Sequence, residues 1–232
     1  MEAITEVSGY EEGWAFEWGS AETHPLEDRI LRTGGAESLS DQELLATVLG
    51  IDAVSARDLL ELHAGELLRF FSRGSLAGFS LNPAHRARFY AVREIACRLA
   101  AEHIPKNDPL CRPEDLARYL NLRYGVRDQE ILGALFLSNS GTLILHSEIY
   151  RGTLSCAKVE PREILKQALL VDAAAILVFH NHPSGNSFPS ADDQEFTKNL
   201  AAAAQILGIR LADHLILGAS GSWTSLRDVM AW

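Results

Sequence analysis

The chain has 232 residues, enough for one or two domains. It is 47% hydrophobic and 22% charged, a globular balance that excludes an intrinsically disordered chain. Its net charge of −10 argues against a surface given over to nucleic acid, because phosphate binding draws on Lys and Arg.

Residues 1–24 carry Tyr10, Trp14, Phe16 and Trp18 among acidic and small residues, and are read as a loosely ordered tail. Glu2, Glu6, Glu11 and Glu12 stand where a secretory leader would have a basic stretch and an apolar core, so no leader is expected. Residues 25–103 read as a small helical bundle. Leu26, Ile30 and Leu31 have helical spacing up to Gly34 and Gly35, and Ser40 with Glu43 forms a capping box before Leu44. Further helices are expected over 56–63, 64–72 and 83–102. Residues 104–112 hold two prolines and no periodicity, a linker before Pro113, which suits the first turn of a helix.

Beyond Glu130 the period changes to that of strands. Ile131–Leu137 is a buried-strand run, and Thr142–Leu145 returns after a Ser-Asn-Ser-Gly turn. Another strand is expected over Glu148–Leu154, and a helix from Pro161 with Ile164, Leu165, Ala168 and Leu169 on one face. The apolar run Ala174–Phe179 follows, then a helix from Ser190 to Leu207 stopped by Gly208, then closing strands over Ile209–Leu217 and Trp223–Leu226. The expected fold class is α/β: over 113–232, a mixed sheet sandwiched by helices. No apolar run reaches the ~18–20 residues that span a bilayer. Cys97, Cys111 and Cys156 form neither a disulfide framework nor a Cys-x-x-Cys pair, and a cytoplasmic location is expected.

The chemistry gathers at His180-Asn181-His182-Pro183-Ser184-Gly185, with Ser190 and Asp193 downstream: His-x-His-x7-Ser-x-x-Asp. In an extended strand, residues two apart point to one face, so both imidazoles can reach one point and the following loop can return a carboxylate to it. Two nitrogens and one oxygen suit Zn2+, and three protein ligands leave a position for water. Taken singly the pieces are bland: Ser190-x-x-Asp193 is also a helix capping box, and Pro183-Ser184-Gly185 is a turn.

Together these residues resemble the JAB/MPN metalloprotease signature, also called JAMM. The wording His-Asn-His-Pro-Ser-Gly, with Asp213-His214-Leu215-Ile216-Leu217-Gly218 downstream and Pro161-Arg162-Glu163-Ile164 upstream, is similar to the RadC branch. The resemblance implies a JAB/MPN-like fold over 113–232. It implies Zn2+ on His180, His182 and Asp193, and an amide-cleaving peptidase or isopeptidase acting on a peptide or protein. It implies a hydroxyl at Ser190 that supports the oxyanion, and a glutamate general base just before an early strand. Glu130 matches that placement best, with Glu148 as the competitor. Asp213 and His214 are read as structural or as supports to the ligands.

A weaker resemblance to the RadC N-terminal region covers about residues 25–103 and implies a degenerate helix-hairpin-helix. There the family's Gly-hydrophobic-Gly turn is replaced by Ser80-Leu81-Asn82, and His85 stands where Lys is frequent. Side chains at 80 and 82 would crowd a phosphate, which argues against DNA binding by this segment. A nucleobase deaminase would need His-x-Glu and Pro-Cys-x-x-Cys, which the chain lacks. A DNA-repair-associated accessory or a scaffold without catalysis are the remaining alternatives.

Overall fold

The computed structural model describes residues 25–63, 79–105, 112–125, 129–152 and 159–232, with positions 65, 67, 70, 71, 76, 107 and 127. The tail expected over 1–24, most of the linker, most of the helix expected over 64–72, and Cys111 and Cys156 lie outside the described residues. Two compact units are present: one ends at Ser38, the other runs from Leu39 to Trp232. The first contains α1 (Pro25–Thr33), which ends where Gly34 turns left-handed at φ 73° and donates its N–H to Ile30 O.

The second unit opens with α2 (Asp41–Leu49), α3 (Ala53–Glu61) and α4 (Pro83–Glu102). The Ser40–Glu43 capping box forms as spaced. α3 starts at Ala53 rather than Ala56, because the Asp52 side chain accepts from Ser55 N and starts the helix early. Asn82 caps α4 by accepting from His85 N at 2.9 Å. Leu45, Leu49, Leu59, Leu60 and Phe70 are buried with Phe89, and the Phe70 and Phe89 rings meet edge to face at 5.0 Å.

The rest is a five-stranded mixed sheet in the order β2-β1-β3-β4-β5. Its strands are β1 (Glu130–Leu137), β2 (Leu143–Gly152), β3 (Ala175–Asn181), β4 (Arg210–Leu217) and β5 (Trp223–Ser225). β3 and β4 are parallel and the other pairs antiparallel. A parallel step needs a crossover, supplied here by α7 (Ala191–Ile206). α5 (Pro113–Leu120) precedes the sheet, α6 (Pro161–Leu170) lies between β2 and β3, and α8 (Leu226–Val229) closes the chain.

β2 is one continuous strand, where the sequence suggested two. Its pairing with β1 runs through His146 and Ser147, and bulges at Leu132/Gly133 and Phe136/Leu137 absorb the slip. An edge strand carries no continuous apolar signal, so the polar middle looks like a break. α5 continues into a π-helical turn over Asn121–Gly125, which no local pattern announced. The Arg93 guanidinium of α4 donates to Leu122 O and Arg123 O of that turn and to Phe71 O, tying α4 to the turn that leads into the sheet.

Each face of the sheet has its own core. Leu132, Ala134, Phe136, Ile176 and Val178 pack on α6 and α7 through Ile164, Ala168, Phe196 and Leu200. Ile131, Leu135, Leu177, Phe179, Leu215 and Leu217 pack on Leu116, Leu120 and Tyr124 on the other side. No helix among the described residues is long and apolar enough to cross a membrane.

Candidate metal centre

β3 is buried along its whole length, and at its end it carries two fully buried polar residues, His180 and Asn181. By strand alternation His180 falls on the α7 face, with Ile176 and Val178. His182 lies one residue past the strand, but its N–H still donates to Leu217 O at 3.1 Å. The backbone therefore stays extended and both imidazoles project to the same side. The chain turns at Gly185, whose φ of 79° and close approach to Ala219 leave no room for a side chain.

It returns at Ser190, the N-cap of α7. Asp193 N–H donates to Ser190 Oγ at 3.1 Å, and Ser190 N–H donates to Asp193 Oδ2 at 2.8 Å. That reciprocal box holds Asp193, 2% exposed, against the histidines. His180 Nε2 lies 3.2 Å from Asp193 Oδ1 and His182 Nε2 lies 3.3 Å from Asp193 Oδ2. The two Nε2 atoms are 2.8 Å apart. Among the described residues these three form the group of His, Cys, Asp and Glu side chains that could hold a metal ion, with ligand atoms within 4.8 Å of one another.

The far side of each ring fixes its tautomer. Thr197 Oγ1 donates to Asp193 O at 2.6 Å, so its lone pair accepts from His214 Nδ1 at 2.6 Å. His214 is fully buried, and burial drives its pKa well below the ordinary value, so it is neutral. Its Nε2 then accepts from His180 Nδ1 at 2.8 Å. His182 Nδ1 donates to Asn186 O at 2.7 Å. Both Nε2 atoms are therefore left as lone pairs aimed at each other and at a carboxylate. Such an arrangement calls for a cation, either a proton or a metal ion, and two imidazoles with one carboxylate fit a divalent metal.

The charges agree. Burial pushes the Asp193 carboxyl up, but the facing His180 and His182 imidazoles, which hold a cation against it, and the Ser190 hydroxyl outweigh it and hold the group well below the usual carboxylate range. The bond to Asp193 raises the proton affinity of His182, and the Glu130 carboxylate adds to that rise.

The two candidate glutamates fall on opposite faces. Glu130 opens β1, two residues before Leu132, which pairs with His180; alternation puts Glu130 on the histidine face. Glu148 pairs with Gly133 on the Phe179 face, and its carboxylate accepts from Arg151 at 2.6 Å. The Ser190 hydroxyl donates to Asp193 Oδ2 at 2.6 Å, so it contacts the ligand carboxylate as well as capping the helix. Asp213 accepts from Ser225 Oγ and from His214 N–H, which joins β4 to β5, while its neighbour His214 supports His180.

Thr197, Asn186 and the Asn181 amide escaped the sequence reading. Thr197 carried a usable signal, since it stands one helical turn after Asp193 on the same face. The contacts of Asn181 and Asn186 depend on loop closure and had none.

A family model described as the RadC-like JAB domain matches residues 110–231. A UPF0758 protein of Xanthomonas axonopodis pv. citri (strain 306) is 38% identical over 205 residues, covering 84% of this chain and 91% of that protein. A second, from Xanthomonas euvesicatoria pv. vesicatoria (strain 85-10), is 39% identical with the same coverage. A third, from Delftia acidovorans (strain DSM 14801 / SPH-1), is 37% identical over 214 residues, covering 87% of this chain and 93% of that protein. With the five-stranded sheet and its His-His-Asp group, these matches show that the chain belongs to the RadC family, within the JAB/MPN superfamily.

Proposed function

We propose that the protein is a zinc-dependent hydrolase that cleaves an amide bond in a peptide or an isopeptide-linked protein. The observation that carries the reading is the convergence of the His180, His182 and Asp193 ligand atoms within 4.8 Å, each imidazole oriented by a bond on its far side. Zn2+ is the metal this donor set suits. When bound, it supplies Lewis acidity that brings the pKa of water from about 15.7 to about 7.

The protein's own groups handle the proton. Glu130 stands on the histidine face and acts as general base: its carboxylate takes a proton from the attacking water and passes it to the amide nitrogen as the C–N bond breaks. Glu148 is the weaker candidate, because it faces the other side of the sheet and is paired with Arg151. Ser190 orients the Asp193 carboxylate with its one O–H, and supports the developing oxyanion, as its position in the family motif implies, when that O–H turns from the carboxylate to the substrate.

Direct duplex binding by the 80–88 segment is not part of this reading. Asn82 is committed to capping α4, Arg86 donates to Leu81 O and Phe79 O, and Arg88 donates to Leu49 O.

The test is a screen of peptide and isopeptide-linked substrates with zinc-loaded wild type and zinc-loaded Glu130→Gln. Cleavage by wild type that falls by at least ~100-fold in a variant still holding zinc is expected for loss of a general base. A Glu130→Gln protein that cleaves at the wild-type rate would overturn the role of Glu130. Zinc-loaded wild type inert across the screen would count against hydrolysis.

A further inference from the structure

We infer that Asn181, between the two histidines, is a positioning residue whose amide holds the backbone on both sides of Glu130 and so sets where that carboxylate stands relative to the metal centre. The inference rests on the reading of Glu130 as the proton carrier.

Backbone pairing between β1 and β3 ends at Leu132 and His180, while on the other edge β3 stays paired with β4 to Asn181 and Leu217, and His182 N–H donates to Leu217 O. The Asn181 side chain carries the ladder onward. Ile131 N–H donates to Asn181 Oδ1 at 2.8 Å, and Asn181 Nδ2 donates to Gln129 O at 3.2 Å. An amide side chain presents the same acceptor and donor as a peptide group, so it replaces the missing strand partner. The two bonds clasp residues 129 and 131 and leave residue 130 between them. On its other edge the same stretch is held by β2, with Glu130 opposite Gly152 and Ile131 opposite Arg151.

Burial alone does not explain an asparagine here. Asn181 is 0% exposed, where Val or Leu would serve a core, and a buried amide is costly unless bonded. By alternation its side chain leaves the strand on the face away from His180 and His182, so it is not a ligand. Its two bonds reach across 50 and 52 residues of sequence to the segment that carries the proposed base. A base displaced by a fraction of an ångström from its proton loses rate although every group is present, which gives a clasp at this position its use.

The test uses the full chain loaded with Co2+ in place of zinc, whose visible absorption and its pH midpoint respond to a carboxylate beside the metal. Glu130→Gln sets the reference shift. Asn181→Ala is expected to keep stoichiometric cobalt, to move the midpoint in the same direction, and to add nothing on top of Glu130→Gln in the double variant. In the metal-free protein, Asn181→Ala is expected to speed amide exchange at Ile131 by about fivefold or more, the equivalent of one net hydrogen bond. Should Asn181→Ala fail to fold, Asn181→Leu, of similar volume and without a new charge, removes both bonds and carries the same comparison. Additive shifts, or a shift in Glu130→Gln with none at Asn181, overturn the inference and leave Glu130 in its role. No shift in Glu130→Gln overturns both.

Discussion

Each residue of the candidate metal centre is aimed by a bond on its far side, and those bonds decide what the site can accept. His180 depends on His214, which depends on Thr197, which donates to the backbone of Asp193. Replacing His214 by Ala should weaken zinc binding by about 10–100-fold, the usual effect of losing such a support. Competitive chelator titration would measure it, and unchanged affinity would show that the ring needs no partner. Acidity gives a second prediction. The bond to Asp193 raises the pKa of His182 above its ordinary 6.5, so its proton stabilises the metal-free fold fully below that value. That contribution is lost as pH rises through the raised pKa, and zinc takes the proton's place. The Tm difference between metal-free wild type and His182→Gln should therefore be larger at about pH 6 than at about pH 8, a comparison that cancels the opposite contributions of the buried, neutral His214 and His146, while added zinc raises the wild-type Tm more at the higher pH. Equal zinc stabilisation at both pH values would contradict this.

Between elements, packing is tight where β1 pairs with β3. A Cβ on Gly133 would come within 2.2 Å of the Phe179 ring, which is fully buried against Tyr124. Gly133→Ala should cost about 1–3 kcal/mol, the range for overpacking a filled core, measured by denaturant unfolding. A neutral outcome would mean that the ring has room to move. The same scale separates what was legible in the sequence from what was not. The capping boxes at Ser40–Glu43 and Ser190–Asp193 form as read, because their bonds span three residues. The β3 run was legible from its unbroken apolar character, and the His-x-His pair from strand alternation. The continuous β2 and the π-turn at Asn121–Gly125 were not, because strand pairing across an edge and the Arg93 contacts are set by distant chain. Asn181 escaped for the same reason: the partners that explain it lie in β1 and just before it.

Within the second unit, Arg93 ties α4 to the π-helical turn before β1 and to Phe71, its guanidinium donating to carbonyls on both sides. Arg93→Met keeps much of the apolar stem but removes the donors, and should cost at least ~1.5 kcal/mol, the lower range for bonds to a charged group. Zinc content should be unchanged, since Arg93 touches no ligand. Loss of metal together with stability would show that the helices support the centre directly. The proposed chemistry depends on the metal. Elemental analysis of purified wild type and His182→Ala tests it most directly: stoichiometric zinc in wild type, lost in the variant, is the predicted result. Full zinc in His182→Ala, or none in wild type after reconstitution, would contradict it.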